Sequence, residues 1–120
     1  MHGLGELESA IMDVLWSIDA PAKVRDVLDR LDTGRPLAYT TVMTVLDNLY
    51  RKQWVDRAKD GKAYLYEPAI SRAEAAARSL RAVLDDSGDP EAALLHFARS
   101  VSDREIEILR KGLRRKPSRH

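Results

Sequence analysis

The stretch VDRAKDGKAYLYE, residues 55–67, constrains the fold of this chain more than any other, because the hydrophobic period changes there. Upstream, apolar residues recur at three- and four-residue steps, the spacing of one helix face; within the stretch they alternate. Asp60-Gly61 sits at its centre. Asp-Gly between alternating segments is a strong signal for a two-residue hairpin, since a type I′ turn requires positive φ at both central positions. Residues 55–59 and 62–67 are therefore predicted strands, with Tyr64 and Tyr66 on one face, Leu65 on the other, and Pro68 as the stop.

Three helices are predicted before this hairpin. Leu4, Leu7, Ile11, Val14, Leu15 and Ile18 stripe the first, which ends before Asp19-Ala20-Pro21. Val24, Val27, Leu28 and Leu31 stripe the second, closed by residues 32–36, and Val42, Val45, Leu46 and Leu49 stripe a third from about Ala38 to Lys52, with Gln53 on its core side. Three more helices are predicted after the hairpin. Capping-box spacing at Ser71/Glu74 and Ser102/Glu105, and a helix-start signal at Asp89-Pro90, place their starts near 71, 89 and 102. Their apolar positions run Ala76, Ala77, Leu80, Val83, Leu84, then Leu94, Leu95, Phe97, Ala98, Val101, then Ile106, Leu109, Leu113. The order predicts a mainly α fold with a small β-hairpin. It comprises a winged helix-turn-helix over 1–70, a C-terminal three-helix dimerisation arm over 71–114, and a basic flexible tail over 115–120. The arm is alanine-rich, and about 45 residues cannot bury enough apolar surface alone. A second copy would cover Leu80, Leu84, Leu94, Leu95, Phe97, Val101, Ile106, Leu109 and Leu113.

Composition removes other classes. There is no cysteine, so disulfides and thiolate metal sites are excluded, and His2, His96 and His120 are isolated from one another. With no nucleophilic triad and no glycine-rich phosphate loop, neither an enzyme nor a metal or cofactor is expected. No run approaches the roughly 20 apolar residues of a membrane span, and no basic segment precedes the first apolar positions. A cytoplasmic chain without membrane insertion is expected. Its net charge of +1 hides an uneven distribution: residues 1–50 hold 4 basic and 8 acidic side chains, residues 71–107 hold 5 and 8, but residues 51–70 hold 5 and 3, and residues 108–120 hold 6 and none. Positive charge confined to two short segments is a polyanion footprint.

In a winged helix-turn-helix the third helix lies in the DNA major groove and reads bases from its first turns. Opposite the apolar stripe of residues 38–52 stand Thr40, Thr44, Asp47 and Arg51, flanked by Thr41, Met43 and Asn48; Tyr39 at the helix start is a further candidate DNA contact. Threonine lowers helix propensity, yet its hydroxyl donates or accepts at a phosphate or base edge and its methyl packs on thymine. Asn48 has the chemistry to bond adenine, and Met43 offers apolar contact. Arg51, Lys52, Arg57, Lys59 and Lys62 would supply sequence-independent phosphate contacts. Asp47 fits poorly on such a face. Two other readings stand beside this one: threonines that only cap the helix locally, and a winged-helix module that binds protein without sequence-specific DNA binding. Tyr64 and Tyr66 are expected to pack the wing on the core rather than stack bases.

The motifs LxxLESAIMDVLW, VRDVLDRL, AYTTVMTVLDNLYRK, KAYLYEP and ALLHF together resemble the penicillinase repressor family of BlaI/MecI-type winged-helix regulators, in an actinobacterial-like form. The resemblance covers about residues 4–114 and is most specific over Ala38–Leu46. It implies a homodimeric transcriptional repressor, nucleoid-associated, on palindromic operators with TACA/TGTA-like elements, with Thr41 and Thr44 contacting DNA. It also implies induction through a membrane sensor metalloprotease and a cut before the phenylalanine matching Phe97. This chain has Asn48 where the family often has arginine, and His96 where the family commonly has asparagine. The other reading of Phe97 is a dimer-core aromatic, with His96 a surface residue beside it.

Overall fold

In a computed structural model describing residues 3–114, eight elements follow one another: α1 (Glu6–Ser17), α2 (Val24–Arg30), α3 (Tyr39–Arg51), β1 (Val55–Asp60), β2 (Ala63–Pro68), α4 (Arg72–Asp85), α5 (Pro90–Ser100) and α6 (Asp103–Leu113). The predicted basic tail, 115–120, lies outside the described residues. The stripes read from the sequence become the core. Ile11, Met12 and Leu15 of α1, Val24 and Val27 of α2, Val42, Leu46 and Leu49 of α3, and Val55 and Tyr66 of the hairpin form one buried cluster. The Glu8 carboxylate accepts the Gly5 amide at 2.9 Å and so starts α1, and Asp26 does the same for Lys23 at α2, at 3.0 Å.

Both ends of α3 have consequences. It starts at Ala38 without any side-chain cap. It stops in a Schellman motif: the Gln53 amide donates to Tyr50 O (3.0 Å) and the Trp54 amide to Leu49 O (2.9 Å), while Gln53 takes a φ of 67°. Gln53 is therefore exposed and outside the helix, not on its core side as the periodicity predicted. The left-handed residue turns the chain directly into β1. Ala69 N–H donates to Trp54 O at 2.9 Å and closes the base of the hairpin.

The antiparallel register pairs Val55 with Pro68 and Asp60 with Ala63. The turn is therefore Gly61-Lys62, one residue later than predicted. Only Gly61 has positive φ (66°), so this is the type II′ pattern with glycine first, not type I′. The wing also gains a third strand position: Ala22, between α1 and α2, exchanges two 2.8 Å backbone hydrogen bonds with Tyr66.

The C-terminal helices start as their sequences predict. Ser71 Oγ accepts from Glu74 N–H (3.0 Å), Asp89 Oδ1 from Ala92 N–H (3.1 Å), and Ser102 and Glu105 form a full capping box. At Ser71 the box is half made, because Glu74 pairs instead with Arg78 at 2.9 Å. The described residues divide into two compact units, with the boundary between Arg81 and Ala82, inside α4. The start of α4 is tied to α1. Trp16 Nε1 donates to Ile70 O (2.9 Å), Arg72 stacks on the Trp16 ring (4.9 Å) and pairs with Asp13 (2.9 Å), and Ala75 is fully buried. The predicted inner positions Ala76 and Ala77 are exposed in its place. In the second unit neither α5 nor α6 buries a residue.

Candidate nucleic-acid interface

The first turns of α3 present Tyr39, Thr40, Thr41, Met43 and Thr44 to solvent, with Asn48 a turn further on. Among the described residues no side-chain hydrogen bond engages Thr40, Thr41, Thr44 or Asn48. The capping reading of the threonines therefore fails: the N-cap is Ala38, and no side chain caps the helix. The amides of Thr41 and Val42 bond Ala38 O, which leaves those of Tyr39 and Thr40 as donors at the positive end of the helix dipole. An uncapped helix start carrying open hydroxyls can accept or donate to an anionic, hydrogen-bonding surface. Its opposite face, Val42, Leu46 and Leu49, is wholly buried.

The register gives the wing two unlike faces. Arg57, Lys59, Tyr64 and Tyr66 share the one toward α3, with Val55 and Pro68; Asp56, Asp60 and Glu67 share the other, with Ala58, Leu65 and Ala63. Asp56 stands directly opposite Glu67, a like-charge pair that repels a polyanion as well as itself. Only the α3 side and the tip suit nucleic acid. Lys62 is exposed at the turn, and Lys59 is exposed with its Nζ 5.6 Å from the centre of the Tyr64 ring. Tyr66 is buried and Tyr64 half-buried, their rings 6.2 Å apart, so both pack the wing inward.

Two expected phosphate donors are otherwise engaged. The Lys52 ammonium pairs with Glu8 of α1 at 2.9 Å. Burial of Glu8 opposes its ionisation, but the bonds from Lys52 and the Gly5 amide prevail and lower its pKa below the ordinary carboxylate value. Arg57 is more completely occupied. Its guanidinium lies 4.0 Å from the centre of the Tyr50 ring and 4.2 Å from that of Tyr64, and donates to Asp47 Oδ1 at 3.0 Å. Its side chain is only 20% exposed. Desolvation works against its charge, yet hydrogen bonds to Tyr66 and Asp47 outweigh that and raise its pKa. Arg57 thus faces α3 rather than open solvent, because two aromatic faces and a carboxylate satisfy it inside the fold. Asp47 also accepts from Arg51 at 2.7 Å, and Arg51 stays 73% exposed. The acidic residue that fitted poorly on this face is neutralised by two arginines.

Sequence reasoning missed Arg25. On the exposed side of α2, its guanidinium stands 5.4 Å from the ring centre of Tyr39, beside the start of α3. The acidic balance of residues 1–50 concealed it, and placing α2 against α3 would have been the signal. Among the described residues no group of histidines and carboxylates is arranged to hold a metal ion, and no helix is long and apolar enough to cross a membrane.

The family model of the penicillinase repressor matches residues 4–115. The chain belongs to the penicillinase repressor family. That family is one of transcriptional repressors, not enzymes. The chain is 44% identical to the transcriptional regulator BlaI of Mycobacterium tuberculosis over 113 residues, covering 92% of this chain and 82% of that protein. It is 23% identical to the methicillin resistance regulatory protein MecI of Mammaliicoccus sciuri over 119 residues, covering 96% of each. The solution structure of monomeric Bacillus licheniformis BlaI in complex with the blaP half-operator is similar at a TM-score of 0.48 and 22% identity, covering 59% of this chain and 85% of that one.

Proposed function

We propose that this penicillinase repressor family member is a DNA-binding transcriptional repressor that acts as a homodimer on a palindromic operator with TACA/TGTA-like elements. The observation that carries the reading is the first turns of α3, where Thr40, Thr41 and Thr44 stand exposed and unbonded between the cations of the wing and Arg25. In the groove, Thr41 and Thr44 read base edges with Met43 and Asn48 beside them, while Tyr39 and Thr40 present backbone amides to a phosphate. Lys59, Lys62 and Arg25 supply most of the sequence-independent charge, while Arg51 is held by Asp47.

The arm supports the dimer. Leu80, Leu94, Leu95, Phe97, Leu109 and Leu113 are exposed, and Leu84, Val101 and Ile106 are only half-buried. Ile108, outside the stripe read from the sequence, is 55% exposed and lies about 200° around α6 from Ile106. Apolar residues on two sides of one helix suit interlocking with a second copy, which covers more than one face. Two recognition helices would then address half-sites roughly 34 Å apart. Derepression by a membrane sensor metalloprotease cutting at His96-Phe97 would need α5 to unwind, since that bond lies within the helix. The exposure of Phe97 favours its reading as a dimer residue. A cytoplasmic, nucleoid-associated location goes with this function.

Titrating the full chain against its upstream palindrome, a half-site and a scrambled duplex at rising salt tests the reading. The palindrome should bind tightest, with affinity falling steeply as salt rises. Equal binding to all three, or indifference to salt, refutes it.

A further inference from the structure

Asp47 is an acidic side chain on the face that meets DNA, and by Coulomb's law alone its removal should tighten binding to any duplex. Its surroundings indicate the opposite for specific DNA. One carboxylate holds Arg51 at 2.7 Å and Arg57 at 3.0 Å, and Arg57 in turn lies between Tyr50 of α3 and Tyr64 of β2. Asp47 and Tyr50 are three residues apart on α3, so they present one surface to the wing. Arg57 is opposite Tyr66 in the ladder, and Tyr64 is opposite Lys59 on the same strand face.

Resting on the proposed DNA-binding function, we propose that Asp47 and Arg57 form a specificity clamp. Arg57 is a positioning residue that fixes the wing against the recognition helix. Asp47 both anchors it and withholds two arginine charges from the phosphates. The planar guanidinium suits this place, since it stacks on two aromatic faces while its edge donates to the carboxylate, which a lysine ammonium cannot do. With the clamp closed, sequence-independent attraction comes mainly from the wing tip and Arg25, and the threonines decide which duplex is held. With Asp47 neutral, Arg51 and Arg57 become free to follow phosphates on any sequence.

The test uses the full chain with Asp47→Asn, Arg57→Gln and Arg57→Lys. Each is measured for affinity to the operator duplex and a scrambled duplex across a salt series, with thermal melting to establish folding. In Asp47→Asn the preference for operator over scrambled DNA should fall about tenfold, while the salt slope on scrambled DNA steepens by roughly one to two, one phosphate for each released arginine. Arg57→Gln should lose similar preference with no flattening of the slope, and Arg57→Lys should fail to restore it. If Arg57→Gln flattens the slope by about one, Arg57 is a phosphate ligand and the clamp is wrong. If Asp47→Asn leaves both preference and slope unchanged, the clamp is likewise wrong. Should Arg57→Gln not fold, the isosteric Asp47→Asn decides. A wild-type chain with no preference between duplexes would instead refute the proposed function itself.

Discussion

Removing the ring of Phe97 should weaken the proposed dimer by three to four orders of magnitude. The side chain sits on α5, in a unit whose two complete helices bury nothing, and the residue is 53% exposed in the single chain. An aromatic side chain carries about 150–250 Å² of buriable surface, so roughly 80–130 Å² of Phe97 awaits cover. At about 25 cal/mol per Å² this is some 2–3 kcal/mol per protomer. Twofold symmetry makes the ring count twice, and about 4–6 kcal/mol per dimer is a factor of roughly 10³–10⁴ in dissociation constant. Sedimentation equilibrium of Phe97→Ala across a concentration series measures it. The same variant should lose preference for palindrome over half-site while keeping its affinity for the half-site, because α3 is in the other unit. A dimer constant within threefold of wild type would show that Phe97 does not lie between the copies.

Other residues can be tested one at a time. Thr44→Ala should cost about 1–3 kcal/mol on operator and little on scrambled DNA, and equal loss on both would reassign the hydroxyl to positioning. Lys62→Ala should weaken every sequence alike and flatten the salt slope by about one, which filter binding at several ionic strengths would detect. Glu8 has a folded pKa below its ordinary value, so its contribution is present above that value and lost as pH falls through the folded pKa. Glu8→Gln should thus be less stable than wild type at neutral pH, with the gap closing on acidification below about 4.5; a gap independent of pH would contradict the Lys52 pairing. Gln53→Gly removes the cost of a left-handed side chain, partly offset by a freer unfolded state, and should raise stability by about 0.5–1 kcal/mol in urea melts.

The element order, the core stripes and the exposed face of α3 were legible because they depend on period, and period survives without knowledge of partners. Val42, Leu46 and Leu49 are buried, and Thr40, Thr44 and Met43 exposed, as a 100° turn per residue requires. Long-range choices were not legible. Nothing local in Ala22 marks it as a strand partner for Tyr66, since the bridge exists only once α1 has returned the chain beside the wing. The turn shifted to Gly61-Lys62 because cross-strand pairing, not the dipeptide, sets the register. Arg57 read as a phosphate donor because its sequence neighbours are basic, whereas its spatial neighbours are Asp47, Tyr50 and Tyr64. A charge read along the chain carries no information about what it will face.

The two faces of α3 also explain how the chain tolerates an uncapped helix start rich in threonine. Each threonine costs roughly 0.6 kcal/mol of helix propensity relative to alanine, so the three together cost about 2 kcal/mol, and a missing N-cap adds about 1. Against this, Val42, Leu46 and Leu49 are each fully buried, at roughly 1.5–3 kcal/mol apiece. Tertiary burial on one face therefore exceeds the local penalty on the other. The helix forms because the core holds it, and its outer groups need not contribute to folding at all. That leaves hydroxyls and amides unpaired at its N-terminal end, where in a stability-optimised helix they would be satisfied internally. Groups that fold without partners are the ones available to a partner.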